Sequence, residues 1–209
     1  MKGHRWFAAI YDRMMASDEK KFFGAILEEM LRGVGGDVVE IGAGTGANFP
    51  YYQNSARVIA TDPDPYMLQR ARTRAAAASV SIELREAAAE ELPFDDDAFD
   101  FVIATLVLCS VRDPRMALAE VRRVLKPGGE LRLYEHVRYQ NPIGGLAQDV
   151  ISPVWQWFGA GCRPNRDTAG LLSESGFELL DVKMRKEGPP VPPMVFTRPQ
   201  LQVVARRPA

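Results

Sequence analysis

The sequence predicts an α/β protein built on one seven-stranded sheet, with helices on both faces and the last strand antiparallel. Three observations predict it. Short apolar runs alternate with helical patterns from residue 37 to residue 135, the rhythm that yields a parallel sheet covered on both sides. Between the last two strand signals there is no room for a helix, so those strands should pair as an antiparallel hairpin. A chain of 209 residues is long enough for one domain with a sizeable core.

The elements follow in order. Residues 5–32 place Phe7, Ile10, Met14, Phe22, Phe23, Ile26, Leu27, Met30 and Leu31 in mostly helical spacing and stop at Gly33, so one or two helices precede the first strand. Strands are expected near 37–41, 57–61, 80–85, 99–104 and 130–135, with helices near 46–53, 64–77 and 114–125. Residues 138–166 break the rhythm with the Gly/Pro-punctuated stretch NPIGGLAQDVISPVWQWFGAGCRPN. A connection leaving a parallel strand starts at its carboxyl end, where open α/β sheets bind ligands, so this insert is a candidate cap on the substrate side. A helix near 167–175, a strand near 177–186, the loop GPPVPPMVFTRP and a strand at 201–205 complete the chain.

Composition excludes several function classes. Twenty-six basic and 27 acidic side chains leave a net charge of −1 without a long single-sign run, which gives no reason to expect nucleic acid as a partner. The two cysteines, Cys109 and Cys162, show no C-x-x-C or Cys/His ligand spacing, so neither a disulfide framework nor a metal site is expected, and a reducing, cytoplasmic setting is. The N-terminal MKGHRWFAAIYDRMM is interrupted by charges and reads as neither signal peptide nor span; peripheral membrane contact stays open. Oligomeric state is not legible.

The stretch VVEIGAGTGAN runs from an apolar strand into a glycine loop, a pattern that holds a nucleotide-like cofactor. Gly42, Gly44 and Ala47 satisfy a dinucleotide fingerprint, and Asp62 lies where an acid would meet a ribose hydroxyl. The loop alone leaves the cofactor undecided.

Further motifs decide it by resemblance. VVEIGAGTG, ATDPDPYML, AEELPFDDDAFDFVIA and RRVLKPGGELRLYE resemble, in order, the successive motifs of class I S-adenosylmethionine-dependent methyltransferases. GTGANFPYY, TLVLCSV, YEHV and SPVWQWFGAGCRPNRDT further resemble the alkyl-thiol methyltransferases of animals and their bacterial relatives, with the ubiquinone/menaquinone-biosynthesis enzymes as a wider group. The animal proteins carry an N-terminal membrane anchor that is not read here. The resemblance implies a Rossmann-like fold and a single domain comprising an N-terminal helical lid (1–33), a cofactor core (34–137), the cap (138–166) and a C-terminal helix and hairpin (167–209). It implies S-adenosyl-L-methionine as cofactor and a small lipophilic acceptor, a thiol first. A quinol, phenol or phospholipid amine, or cofactor binding without catalysis, stands as the alternative.

Site residues follow from the same resemblance. Glu40 would sit near the methionyl amine, with Gly42, Gly44, Gly46 and Asn48 forming the loop against the cofactor. Asp62 would accept from both ribose hydroxyls, and Pro63 to Met67 would lay apolar surface beside the adenine. The family commonly reads the adenine amino group with an acid where this chain has Ala88, which leaves the Ala89 backbone and the Glu90 side chain as replacements. Thr105 and Leu106 would lie under the sulfonium region. His136, just past the fifth strand, is the candidate proton acceptor, although a structural histidine fits the same pattern. Cys109 reads as a small buried residue and a substrate contact. Tyr11, Trp155, Trp157, Phe158, Val195 and Phe196 are the expected lining of an apolar acceptor pocket.

Overall fold

A computed structural model describes residues 23–53, 57–187 and 194–209. Strands β1 (Asp37–Ile41), β2 (Arg57–Asp62), β3 (Ser81–Glu86), β4 (Phe99–Thr105), β5 (Leu125–His136), β6 (Glu178–Arg185) and β7 (Gln200–Arg206) form one sheet in the order β3-β2-β1-β4-β5-β7-β6. β1 to β5 pair parallel; β7 runs antiparallel between β5 and β6. The strand order reverses between β1 and β4, which opens a crevice at their carboxyl ends.

Five α-helices accompany the sheet among the described residues: α1 (Gly24–Leu31), α2 (Pro65–Ala77), α3 (Pro114–Val124), α4 (Pro142–Phe158) and α5 (Thr168–Glu174). Proline opens α2, α3 and α4, and the preceding residue caps each one: Asp64 accepts from Tyr66 N–H, Asp113 from Arg115 N–H and Asn141 from Gly144 N–H. Proline at the first helical position forfeits only a donor with no intrahelical partner, and the cap satisfies another.

Successive strand residues point to opposite faces, and the core divides accordingly. Val39 and Ile41 of β1 join Val102, Leu118, Val121, Leu131 and Val203 on the face covered by α3 and α5. Val38 joins Val58, Ile103, Tyr134 and the α1 residues Leu27, Met30 and Leu31 on the other. Glu40 therefore points from a buried strand into the face packed by α1 and α2.

Two expected elements differ. The predicted helix at 46–53 is a run of turns ending in a 3₁₀ turn at Phe49–Tyr51. The insert at 138–166, read as a Gly/Pro-punctuated cap without an assigned element, contains α4, a 17-residue helix with Pro153 inside it. Its two early glycines have local reasons. A Cβ on Gly145 would lie 3.0 Å from the Arg138 guanidinium, which crosses the helix there to pair with Asp149 at 2.5 and 2.7 Å, and one on Gly144 would lie 2.8 Å from the Tyr139 ring. No helix among the described residues is long and apolar enough to cross a membrane.

Candidate active site

At the crevice between β1 and β4 lies a cavity lined by Phe23, Leu27, Glu40, Asn48, Thr105, Leu106 and Tyr134, together with the glycine loop. The loop is held from beneath by β2: Ala43 N–H donates to Thr61 O at 2.8 Å and Gly44 N–H to Asp62 Oδ2 at 2.9 Å. Its glycines differ in purpose. A Cβ on Gly42 would meet the Val107 side chain at 2.6 Å and one on Gly46 the Phe49 ring at 2.6 Å, so these two serve packing and the left-handed backbone. At Gly44 (φ +56°) a Cβ would meet nothing within 4 Å. That position faces open space in the cavity lining.

Glu40 is buried, and its carboxyl is pushed up to about 8, chiefly by loss of water. Hydrogen bonds from Tyr52 Oη (2.7 Å) and Asn48 Nδ2 (3.1 Å) oppose that shift, and the nearby Asp62 adds to it. Asn48 Nδ2 also donates to Thr105 Oγ1 at 3.0 Å, tying β1 to β4, while its own Oδ1 is buried without a partner. Tyr134 Oη, also buried, has none either. Asp62, raised to about 6 by burial, accepts from Gly44 N–H and from Asp64 N–H at 2.8 Å. Leu106 has a φ of +58°, a strained value for a branched side chain, at the point where β4 leaves the sheet toward the cavity.

The residues present fit a cationic nucleoside cofactor. Unpartnered acceptor capacity at Asn48, a buried acid at Glu40 and a loop position that a side chain would fill all face one cavity, whose lining among the described residues contains neither Lys nor Arg. Such a lining suits an ammonium and a sulfonium and disfavours a pyrophosphate.

The structure places the other predicted residues unevenly. Met67 is buried in the first turn of α2, and Ala87 N–H donates to Asp62 O at 3.3 Å, which sets the Ala88 segment beside Asp62 and Pro63. Ala89 packs in the core. Glu90 Oε1 accepts from Arg112 N–H (2.8 Å) and Asp113 N–H (3.4 Å), holding the entry to α3. Trp157 stands 81 % exposed on the outside of α4. Trp155 is half-buried with Nε1 unpartnered. Phe158 is the last residue of α4; Tyr11 lies outside the described residues. Val195 and Phe196 contribute carbonyls to the cap, accepting from Tyr139 Oη (2.9 Å) and Gln148 Nε2 (2.9 Å). Buried Gln148 also reaches the carbonyls of Val137 and Pro164, so three segments on the ligand side are fastened to α4.

His136 and Cys109 are brought together, and Cys162 joins them, a cluster that the spacing of these residues along the chain does not suggest. Cys162 Sγ lies 3.4 Å from His136 Nδ1, Cys109 Sγ 3.9 Å from the same nitrogen, and the sulfurs are 3.6 Å apart. Neighbouring Cys162 and burial push the Cys109 thiol well above its usual range. With Nδ1 turned to the sulfurs, a proton-accepting role for His136 falls to Nε2. Sequence reasoning also missed Glu135, a fully buried carboxylate that accepts from the N–H groups of Val107, Leu108 and Cys109 at 2.7, 2.7 and 3.1 Å. It missed Tyr52 and Tyr134 as well, whose apolar surroundings in sequence read as core.

Fold and site together define a class: an open α/β sheet whose switch-point loop takes a cationic nucleoside cofactor. A methyltransferase domain model matches residues 39–133. The thiol S-methyltransferase TMT1B of Homo sapiens is 37 % identical over 189 residues, 86 % of this chain and 75 % of the relative, and the human thiol S-methyltransferase TMT1A is 33 % identical over 184 residues, 85 % and 74 %. Among solved structures, a SAM-dependent methyltransferase of Thermotoga maritima superposes with a TM-score of 0.71 over 97 % of both chains at 21 % identity. The chain belongs to the S-adenosylmethionine-dependent methyltransferases and binds that cofactor.

Proposed function

We propose that this enzyme methylates a small lipophilic thiol. Similarity to thiol S-methyltransferases along 86 % of the chain carries the reading, and the chemistry of the site supports it. The cofactor supplies an electrophilic methyl group on a sulfonium. What remains for the chain is to hold acceptor and methyl in line and keep water out. Glu40 and Asn48 would hold the ammonium end, Thr105 and Leu106 the sulfonium side, and Asp62 the ribose. A thiol, with an ordinary pKa of about 8.5, is partly ionised near neutrality and needs less help from a base than an alcohol or amine.

Phe23 and Leu27, at the start of α1, line the cavity, which supports the described part, from residue 23, of a lid over the cofactor read at 1–33; residues 1–22 lie outside the described residues. The exposed face of α4 supports contact with a lipid surface. Ile143, Leu146, Val150, Val154 and Trp157 follow each other at steps of three and four and are all exposed, Ile143 by 83 %. A helix of this length spans about 25 Å and would lie in the plane of an interface, with tryptophan at its preferred depth. A reducing, cytoplasmic setting accords with two unpaired buried thiols 3.6 Å apart.

A radiolabelled-methyl screen of thiols, phenols, quinols and amines tests the acceptor. Thiols should turn over at least tenfold faster than the rest; a quinol or amine leading by that margin would overturn the assignment.

A further inference from the structure

Cys109, His136 and Cys162 come from three separate segments: the turn after β4, the end of β5 and the loop after α4. Each is held in place by contacts that do not involve the other two side chains. The Cys109 turn hangs on the Glu135 carboxylate, His136 is registered against Gln200 in the sheet, and Cys162 N–H donates to Gly159 O at 2.9 Å. The two cysteine segments are also fastened together. Arg163 N–H donates to Cys109 O at 2.7 Å, and the Arg166 guanidinium donates to Leu108 O and to Val111 O, the latter at 2.6 Å. At Gly161 (φ +86°) a Cβ would stand 3.3 Å from Ser110 O, so glycine permits this approach.

The resulting triangle has a particular size. Around a tetrahedral zinc ion with Zn–S near 2.3 Å and Zn–N near 2.0–2.1 Å, two sulfurs lie about 3.8 Å apart and sulfur and nitrogen about 3.5 Å apart. The observed separations are 3.6 Å between sulfurs and 3.4 and 3.9 Å from sulfur to Nδ1. Two thiolates and an imidazole are a donor set that selects zinc among divalent ions, and two thiolates neutralise its charge in a buried place. Three protein ligands leave the fourth position open, the arrangement of reactive rather than purely structural zinc. The position of the cluster matters too: Cys109 Sγ lies 3.6 Å from the carbonyl of Leu106, whose side lines the cofactor cavity.

We infer that Cys109, His136 and Cys162 form a zinc site whose open fourth position takes the sulfur of the thiol acceptor. This rests on the thiol reading above and gives it a receptor. The thiol binds as thiolate, releasing its proton to solvent as it displaces a water ligand. A lone pair on that sulfur forms the new S–CH3 bond while the methyl–sulfonium bond breaks, its electron pair staying on the cofactor sulfur. The neutral thioether then leaves the metal. Cofactor cation and thiol thus become S-adenosylhomocysteine, methyl thioether and one proton, with the metal unchanged. Coordination keeps the sulfur ionised at neutral pH with no side-chain base beside it. Arg166, whose guanidinium is fastened to the carbonyls of Leu108 and Val111 on either side of Cys109, offsets the third thiolate.

The test reads metal, not turnover. Full-length protein stripped with a chelator is titrated with zinc against a chromophoric competitor, and with cobalt followed by its visible spectrum. One equivalent should bind with a tetrahedral thiolate-type cobalt spectrum, and an alkyl thiol added without cofactor should shift that spectrum. Cys162→Ser and His136→Ala should each fall below a tenth of an equivalent while still binding S-adenosylhomocysteine, which shows that they fold. Less than a tenth of an equivalent in the unmodified chain, full binding in both variants, or a cobalt spectrum unmoved by thiol overturns the inference. Oxidation of stripped protein to a Cys109–Cys162 disulfide that one equivalent of zinc does not slow also overturns it. The two readings fail separately. Thiol methylation at full rate by stripped protein removes the zinc site and leaves the acceptor, whereas a zinc- and thiol-binding chain that methylates only amines removes the acceptor and leaves the site.

Discussion

Cofactor affinity should depend on pH through one buried acid. With its carboxyl pushed up to about 8, Glu40 is almost wholly protonated at pH 6 in the free enzyme. An ammonium placed against it favours the ionised form, so binding below pH 8 must expel a proton. Affinity then improves about tenfold per pH unit, or about 30-fold between pH 6 and 7.5, equivalent to about 2 kcal/mol. The window opens at the value of about 6 to which Asp62 is raised, where half-protonation of that acid contributes about twofold at most, and closes below the ligand's own α-amino group near 7.7–8.0. Calorimetry with S-adenosylhomocysteine, in buffers of differing ionisation enthalpy, reads both the slope and the released proton. Glu40→Gln should bind more weakly with a flat profile.

Stability carries the opposite sign. Because the folded pKa lies above the ordinary 4.5, ionisation of Glu40 opposes folding; its favourable contribution is complete below 4.5 and is lost as pH rises through 8. The ceiling of that loss is about 5 kcal/mol. Glu40→Gln should therefore gain on the unmodified protein in melts at pH 9 relative to pH 5. A wild-type affinity that changes less than threefold across the window, or a variant with the same slope, would refute the assignment of the ammonium to Glu40.

Three further outcomes are expected. Gly44→Ala should cost only about 1 kcal/mol of stability, from its left-handed backbone, yet weaken cofactor binding at least tenfold, whereas Gly46→Ala, which strikes the buried Phe49 ring, should lower stability by about 1–3 kcal/mol; melts beside calorimetry separate the two, and unimpaired binding by Gly44→Ala would take that position out of the site. Replacing Leu146, Val150 and Trp157 together by serine should reduce sedimentation with anionic liposomes at least tenfold without altering the melting temperature; equal sedimentation would remove α4 from the membrane contact. Glu135→Gln replaces an acceptor of three backbone N–H groups by one with a competing donor, and should lose about 1.5–3 kcal/mol in denaturant unfolding; an unchanged midpoint would show that the turn after β4 does not depend on it.

Most of the fold was legible because short apolar runs buried on both faces alternate with helical patterns, and two of the helices, α2 and α3, begin on Asp-Pro. The same logic, applied to Asn141-Pro142, announces α4 as clearly as Asp64-Pro65 announces α2. Gly144, Gly145 and Pro153 masked it. The glycines answer to Tyr139 and Arg138, contacts made only after the chain has folded back, so their helical cost is met by packing that a local pattern does not contain. The helix expected at 46–53 failed for the converse reason. Glycine-rich turns carry residues 44–48 across the top of β1, and Phe49, Tyr52 and Asn48 are spent on filling Gly46's space and on Glu40, not on a helical face.

The site divides along the same line. That Glu40, the glycine loop and Thr105–Leu106 line one cavity was foreseeable because the crevice at the strand reversal is built from residues adjacent to strand ends, and strand ends are visible in sequence. For Glu90, proximity in sequence to the expected adenine position says nothing about which N–H groups its carboxylate will find; Oε1 found those of Arg112 and Asp113. Cys109, His136 and Cys162 have spacings of 27 and 26 residues, outside any metal-ligand pattern formed within one loop. In a parallel sheet, however, the carboxyl ends of neighbouring strands are neighbours whatever the length of chain between them. A soft ligand just past β4, another at the end of β5 and a third in the connection that leaves β5 are thereby candidates for one site. Topology, once predicted, therefore licenses a search for ligands by strand end, where spacing along the chain gives none.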